Sequence, residues 1–113
     1  MSEEKQVRDP HVAVDYIIAN SKKFAKAKAE RIYMEEYRKS LKAILMKQSI
    51  EETIGAQERE AYAHERYKEL LLGLKEAVEI EEELRWHLIA AQARVEIWRS
   101  EQANMRTEGK VTL

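Results

Sequence analysis

The side chains with the widest chemical range here are three histidines and a dense set of carboxylates. His64 follows Glu60 by one helical turn, and His87 follows Glu83 by the same interval. A carboxylate and an imidazole at i, i+4 face each other on a helix and could share a metal ion. Di-iron bundles use a Glu-x-x-His spacing instead, and Ala61 and Leu84 stand where that glutamate would be. The favoured reading is Glu–His pairing on a helix face, with a metal site only if two copies bring their His87 residues together. His11 lies one residue into an expected helix. The run Glu79-Ile80-Glu81-Glu82-Glu83 could attract cations, but a solvated face matched to lysines explains it more simply. Paired-carboxylate catalysis needs a cleft, and none is inferred. The chain has no cysteine, which removes disulfides, thiol catalysis and Cys-ligated zinc. No phosphate-cradling glycine loop or nucleophile elbow is found. The expectation is a non-enzyme without metal or other cofactor.

Basic residues suggest a second chemistry. Residues 1–48 carry eleven Lys/Arg against seven Asp/Glu, a net +4, and the remainder carries nine against fourteen, a net −5. Lys22, Lys23, Lys26 and Lys28 are candidates for nucleic-acid contact, with Tyr16, Tyr33, Tyr37, Tyr62 and Tyr67 as candidate stacking partners. The competing reading is that the lysines cancel the acidic run within the fold, and that Tyr33, Tyr37 and Tyr67 are packing residues.

The elements that must position these groups are long helices. Of 113 residues 44% are hydrophobic and 36% charged, so the apolar residues must be gathered on stripes. Three glycines and one proline give almost no support to an all-β chain. No run approaches a membrane span, and the polar N-terminus lacks the apolar core of a signal peptide. A soluble, cytoplasmic protein with no membrane contact is therefore expected.

Asp9-Pro10 is a helix start: Asp can cap free N–H groups, and Pro is tolerated in the first turn. The first helix is expected over 10–48, with Asn20-Ser21 its only weak point. A break there would free a small third helix. Its apolar face opens with Val12, Val14, Ile17 and Ile18 and is read on through Phe24, Ala25, Ala27, Ala29, Ile32, Tyr33, Tyr37, Leu41, Ile44 and Leu45. Ser49-Ile50-Glu51-Glu52 matches a capping box, and 49–57 is read as the connection, holding at most one helical turn. A second helix is expected over 58–106, with Gly73 inside it. Segments 1–9 and 107–113 are expected to be loose.

The second helix carries two seven-residue rows. One is Tyr67, Leu74, Glu81, Leu88, Val95, Gln102, and the other is Leu70, Ala77, Leu84, Ala91, Trp98, Met105. Together they form one coiled-coil-like seam, with Glu81 as a charged seam position that can fix register. Folding the helices back about Thr53 makes facing residue numbers sum to about 106. That register puts Lys22, Lys23, Lys26 and Lys28 beside Glu79, Glu81, Glu82 and Glu83, and Ala25, Ala27 and Ala29 near Ala77.

Between Leu84 and Trp98 the second helix is apolar nearly all round, which one partner helix does not require. Leu84, Trp86, Leu88, Ile89, Val95, Ile97 and Trp98 are therefore the candidate self-association or partner surface. The expected fold is all-α: a long antiparallel helical hairpin, assembled by self-association, most simply as a dimer, into a four-helix bundle.

The block 83–104 (ELRWHLIAAQARVEIWRSEQAN), with 25–40 (AKAKAERIYMEEYRKS), resembles small helical proteins of tailed bacteriophages and prophages. Such proteins tend to lie among early or recombination genes. The resemblance implies a phage-derived protein in the cytoplasm of a bacterial host cell, accessory to DNA recombination or replication; the seam and the apolar zone add the reading of an interaction or adaptor protein. It transfers no catalytic residue.

Overall fold

The computed structural model describes residues 9–112, with side chains to Gly109. Three helices account for nearly all of these residues: α1, Pro10–Gln48; α2, Ile54–Ala63; and α3, Glu65–Thr112. Among the described residues there is no strand. The chain divides into two compact units. The central unit is Ala25–Glu82. The terminal unit combines Met1–Phe24 with Glu83–Leu113.

Local signals set the helix ends. The Asp9 carboxylate accepts from the His11 N–H at 2.8 Å, and the Asp9 carbonyl accepts from the Ala13 N–H at 2.9 Å. Asp9 is therefore the N-cap of α1. The expected loose segment 1–9 otherwise lies outside the described residues. α1 runs unbroken through Asn20-Ser21, so no third N-terminal helix separates there. Both side chains bond back along their own helix, Asn20 Nδ2 donating to the Tyr16 carbonyl at 2.9 Å and Ser21 Oγ to the Ile18 carbonyl at 3.2 Å.

The connection differs from expectation because the stronger cap is Thr53, not Ser49. Thr53 has extended backbone and its Oγ1 accepts from the Ala56 N–H at 3.2 Å. Ser49 Oγ instead accepts from the Glu51 N–H at 3.1 Å and donates to the Glu60 carboxylate, so the expected capping box is not formed. The ten-residue α2 thus begins inside the stretch read as a loop. The expected helix 58–106 is also interrupted at His64, whose extended backbone separates α2 from α3. At its other end α3 continues to Thr112, through Gly109 and the segment expected to be loose.

Within the central unit, Leu41, Leu45, Ala61 and Tyr67 form the buried cluster, with Tyr37, Met46 and Leu70 packed against it. All three helices contribute to it. Farther along, α1 and α3 meet antiparallel: Met34 lies beside Gly73, and Arg31 pairs with Glu81. Ala27 and Ala77 are both buried, whereas Ala25 and Ala29 are exposed. Ile32, Tyr33 and Ile44, expected on the apolar face, are exposed, as are Val12, Val14 and Ile18 in the terminal unit. The inner face follows a heptad instead, with Ala27, Met34 and Leu41 in one row and Arg31 and Leu45 in the other. Gly73 is accommodated in the helix, and a Cβ there would meet only the Met34 tip at 3.9 Å.

In the terminal unit only two of the described side chains are buried, Ala13 on α1 and Ala91 on α3. Tyr16, Ile17 and Asn20 on α1, and Leu84, Leu88, Val95 and Gln102 on α3, are half-buried. Within this unit the α1–α3 seam has thinner cover. Its last apolar members, Trp98 and Met105, are exposed.

Candidate interaction surface

Successive residues on an α-helix are about 100° apart, so α3 in the terminal unit has two apolar faces. The inward face is Leu84, Leu88, Ala91 and Val95. On the opposite side stand Trp86, Ala90, Ala93 and Ile97, all exposed, with Ile89 on the flank. Their spacing of four, three and four is that of a second coiled-coil stripe. Trp86 is 58% and Ile97 51% exposed, values that rule out a core role for either in the isolated chain. The Arg85 guanidinium lies over the Trp86 ring at 4.8 Å, and Arg99 pairs with Glu96 at 3.4 Å. Trp98, 41% exposed, sits at the edge of the inward seam, not on the outer stripe. The seven candidate surface residues thus separate: Leu84, Leu88 and Val95 serve the seam, while Trp86, Ile89 and Ile97 face outward.

In the central unit, the buried Glu81 holds the α1–α3 register. It is 6% exposed, and its carboxylate accepts both from Arg31 Nε and, at 3.0 Å, from Arg31 Nη2. The remaining guanidinium nitrogen, Nη1, donates to Glu35 at 3.0 Å. These charge-assisted bonds, Arg31's above all, hold the Glu81 carboxyl below its ordinary 4.5 against the opposing effect of desolvation. The Arg31 guanidinium is raised in turn, first by its bond to Glu81 and then by that to Glu35. The lysine pairing expected for Glu81 is therefore corrected: Arg31 is its ion-pair partner, and Lys28 adds only a longer-range attraction. Arginine suits the seam because its planar fork meets both carboxylate oxygens. Lys22 and Lys23 in the terminal unit, and Lys26 and Lys28 in the central unit, are all exposed.

A shallow groove of about 450 Å³ in the central unit is lined by Arg38, Lys39, Lys42, Tyr62 and Tyr67. Lys42 pairs with Glu58 at 2.7 Å and lies over the Tyr62 ring at 4.8 Å. Tyr62 meets Tyr67 edge-on, with ring centroids 5.2 Å apart. The Glu58 carboxyl is lowered by the Lys42 hydrogen bond, and the Lys42 ammonium is raised by the bond to Glu58. Tyr67 and Tyr37 pack with the core, as their spacing suggested, whereas Tyr33 stacks on Tyr37 at the surface.

Of the histidines, His64 has a local structural role. His64 Nδ1 accepts from the Arg66 N–H at 3.0 Å, capping the start of α3, while Glu60 accepts from Ser49. In place of the expected Glu60–His64 pair, His64 caps α3 and Glu60 takes a bond from Ser49 eleven residues earlier. Among the described residues no group of three or more His, Asp or Glu side chains could hold a metal ion, and no helix is long and apolar enough to cross a membrane.

What these elements define is an all-helical chain with an internal ion-paired seam and an uncovered apolar stripe. The sequence matches no family model, no curated protein and no solved structure.

Proposed function

We propose that this is a non-enzymatic helical interaction protein whose α3 outer face receives another helix. The observation that carries this reading is the uncovered stripe of Trp86, Ala90, Ala93 and Ile97 in heptad-like spacing. Lone exposed apolar residues are ordinary, whereas an aligned stripe containing tryptophan favours docking. Covering it with helices would complete a four-helix bundle. An adaptor role accessory to DNA recombination or replication, in a phage setting, rests only on the resemblance of the 83–104 and 25–40 segments.

A photo-crosslinking amino acid at Ala93, with a control at exposed Lys75, tests the reading in cells. An ultraviolet-induced adduct from position 93 and not from 75 is expected. A folded chain that yields no adduct at 93 would overturn the docking role.

A second reading is favoured by the exposure of Lys22, Lys23, Lys26 and Lys28 and by the cation- and tyrosine-lined groove. It is direct binding of a nucleic acid through α1. Anisotropy of a labelled oligonucleotide should then show steep salt dependence, with affinity lowered by changing the four lysines to glutamate. Salt-independent or absent binding eliminates it. If those changes unfold the protein without DNA, the lysines serve the fold.

A further inference from the structure

Deepening the second reading above, on which it rests, we propose that the groove between α1 and the α2–α3 junction holds one phosphodiester of a single-stranded nucleic acid. Arg38 is its main contact.

Arg38, Lys39 and Lys42 bring three cations of the groove wall into little more than one turn of α1. Like charges at i, i+4 repel, so Arg38 and Lys42 each call for an anion nearby. Lys42 has one in Glu58 of α2, at 2.7 Å, and Lys39 has one in Glu36, at 3.2 Å. Arg38 has none: its side chain makes no ion pair or hydrogen bond among the described residues. Glu35, one turn before it, is held by Arg31 instead, at 3.0 Å. The three cations thus stand against two carboxylates, and one positive charge is left over. A phosphodiester carries one negative charge and balances it, whereas a phosphate monoester carries about −1.5 to −2 and would overshoot.

The Arg38 fork presents parallel N–H donors that match the two non-bridging oxygens of a phosphodiester. No strong internal bond has to break first, because Arg38 is unpaired and the Lys39–Glu36 pair is exposed and weak. The rest of the groove suits a base. At about 450 Å³ it has room for more than a phosphate, and exposed Tyr62 forms part of its wall. Lys42 over the Tyr62 ring and Tyr67 edge-on to it hold that ring in place. An aromatic side chain can receive a base only where the base has left its own stack, which selects a single strand over a duplex.

Anisotropy of a labelled thymidine strand of about 15 nucleotides tests the site. Arg38→Gln should weaken binding roughly tenfold, the loss of a charged hydrogen bond. It should also reduce the slope of log K against log salt by about 0.7, the value of one phosphate contact on a single strand. Arg38→Lys keeps the charge but loses the fork, and should still weaken binding several-fold. Lys75→Gln removes another exposed charge of the same unit and should change affinity little. The same strand annealed to its complement should bind more weakly. Circular dichroism should show every variant folded, since Arg38 makes no internal contact; if Arg38→Gln lowers stability, Arg38→Lys decides alone. Unchanged affinity in the folded Arg38 variants overturns the groove and leaves the nucleic-acid reading standing. An equal loss in Lys75→Gln, which marks a diffuse field, overturns the groove as well, as does a duplex bound as tightly as the strand. A wild type that binds no strand removes both.

Discussion

The central and terminal units each pack α1 against α3, with different depth of cover. In the central unit the seam closes on Leu41, Leu45, Ala61 and Tyr67, and is then fixed by Arg31 on Glu81. In the terminal unit only the two alanines Ala13 and Ala91 are buried among the described residues, and the leucines of the seam remain half-exposed. The difference follows from helix count. Three helices meet around the central cluster, whereas the terminal unit has one piece of α1 and one of α3. Two helices bury one stripe each and cannot cover a second. The apolar residues left over in the terminal unit therefore stay exposed on the outer side of α3.

The sharpest break of this contrast is one chemical change made in both units. Leu41, 2% exposed, should cost about 2–5 kcal/mol on truncation to Ala, because both transfer energy and packing are lost. Half-buried Leu88→Ala should cost roughly 1 kcal/mol. Equal losses by denaturant titration would show that the two units are equally packed.

The ion pair gives the next largest effect. Arg31→Met should destabilise by leaving the buried Glu81 carboxylate without its partner, and Arg31→Met with Glu81→Met should recover much of the loss. A pair whose double variant is as unstable as the single one would instead be a source of net stability. The same pair predicts acid sensitivity. The folded carboxyl of Glu81 titrates below its ordinary 4.5, so its contribution is complete above that value and is lost as pH falls through the folded value. Glu58 acts with the same sign. Denaturant midpoints should therefore fall below about pH 4.5, and less steeply in Glu81→Gln.

Smaller effects test the connection and the helix interior. Thr53→Ala should cost about 1 kcal/mol through loss of the α2 cap, while Ser49→Ala should cost less. Gly73→Ala should raise stability by about 0.5–1 kcal/mol, because the added Cβ meets only ordinary contact with Met34. Thermal melts of each variant check both signs.

Much of the architecture was legible because helices obey local rules. The start at Asp9-Pro10 follows from a carboxylate cap followed by a residue without an N–H. The α3 seam was readable from its two seven-residue rows, and its buried members in the central unit, Tyr67, Ala77 and Glu81, all lie on them. The inner face of α1 was less legible. Ile32, Tyr33 and Ile44 are more apolar than Arg31, yet Arg31 belongs to the seam because Glu81 stands opposite. Hydropathy of a single helix cannot reveal a charge that its partner neutralises. Thr53 and Ser49 were competing caps of similar type, and the choice depended on Ser49 finding Glu60 eleven residues later. The stop at His64 had no proline or glycine to mark it, since it is made by an imidazole acting as a cap. The outer stripe was foreshadowed by the all-round apolar run from Leu84 to Trp98, but not its division into an inward set and an outward set.

By itself the sequence determined an all-helical chain, its first helix start, and the heptad row along α3, because these depend on spacing and on groups within one turn. Tertiary structure decided which cation meets Glu81, where the second helix is interrupted, and which half of the Leu84–Trp98 run is left uncovered. Each of those outcomes depends on what stands across the interface, and that is fixed only when the helices pack.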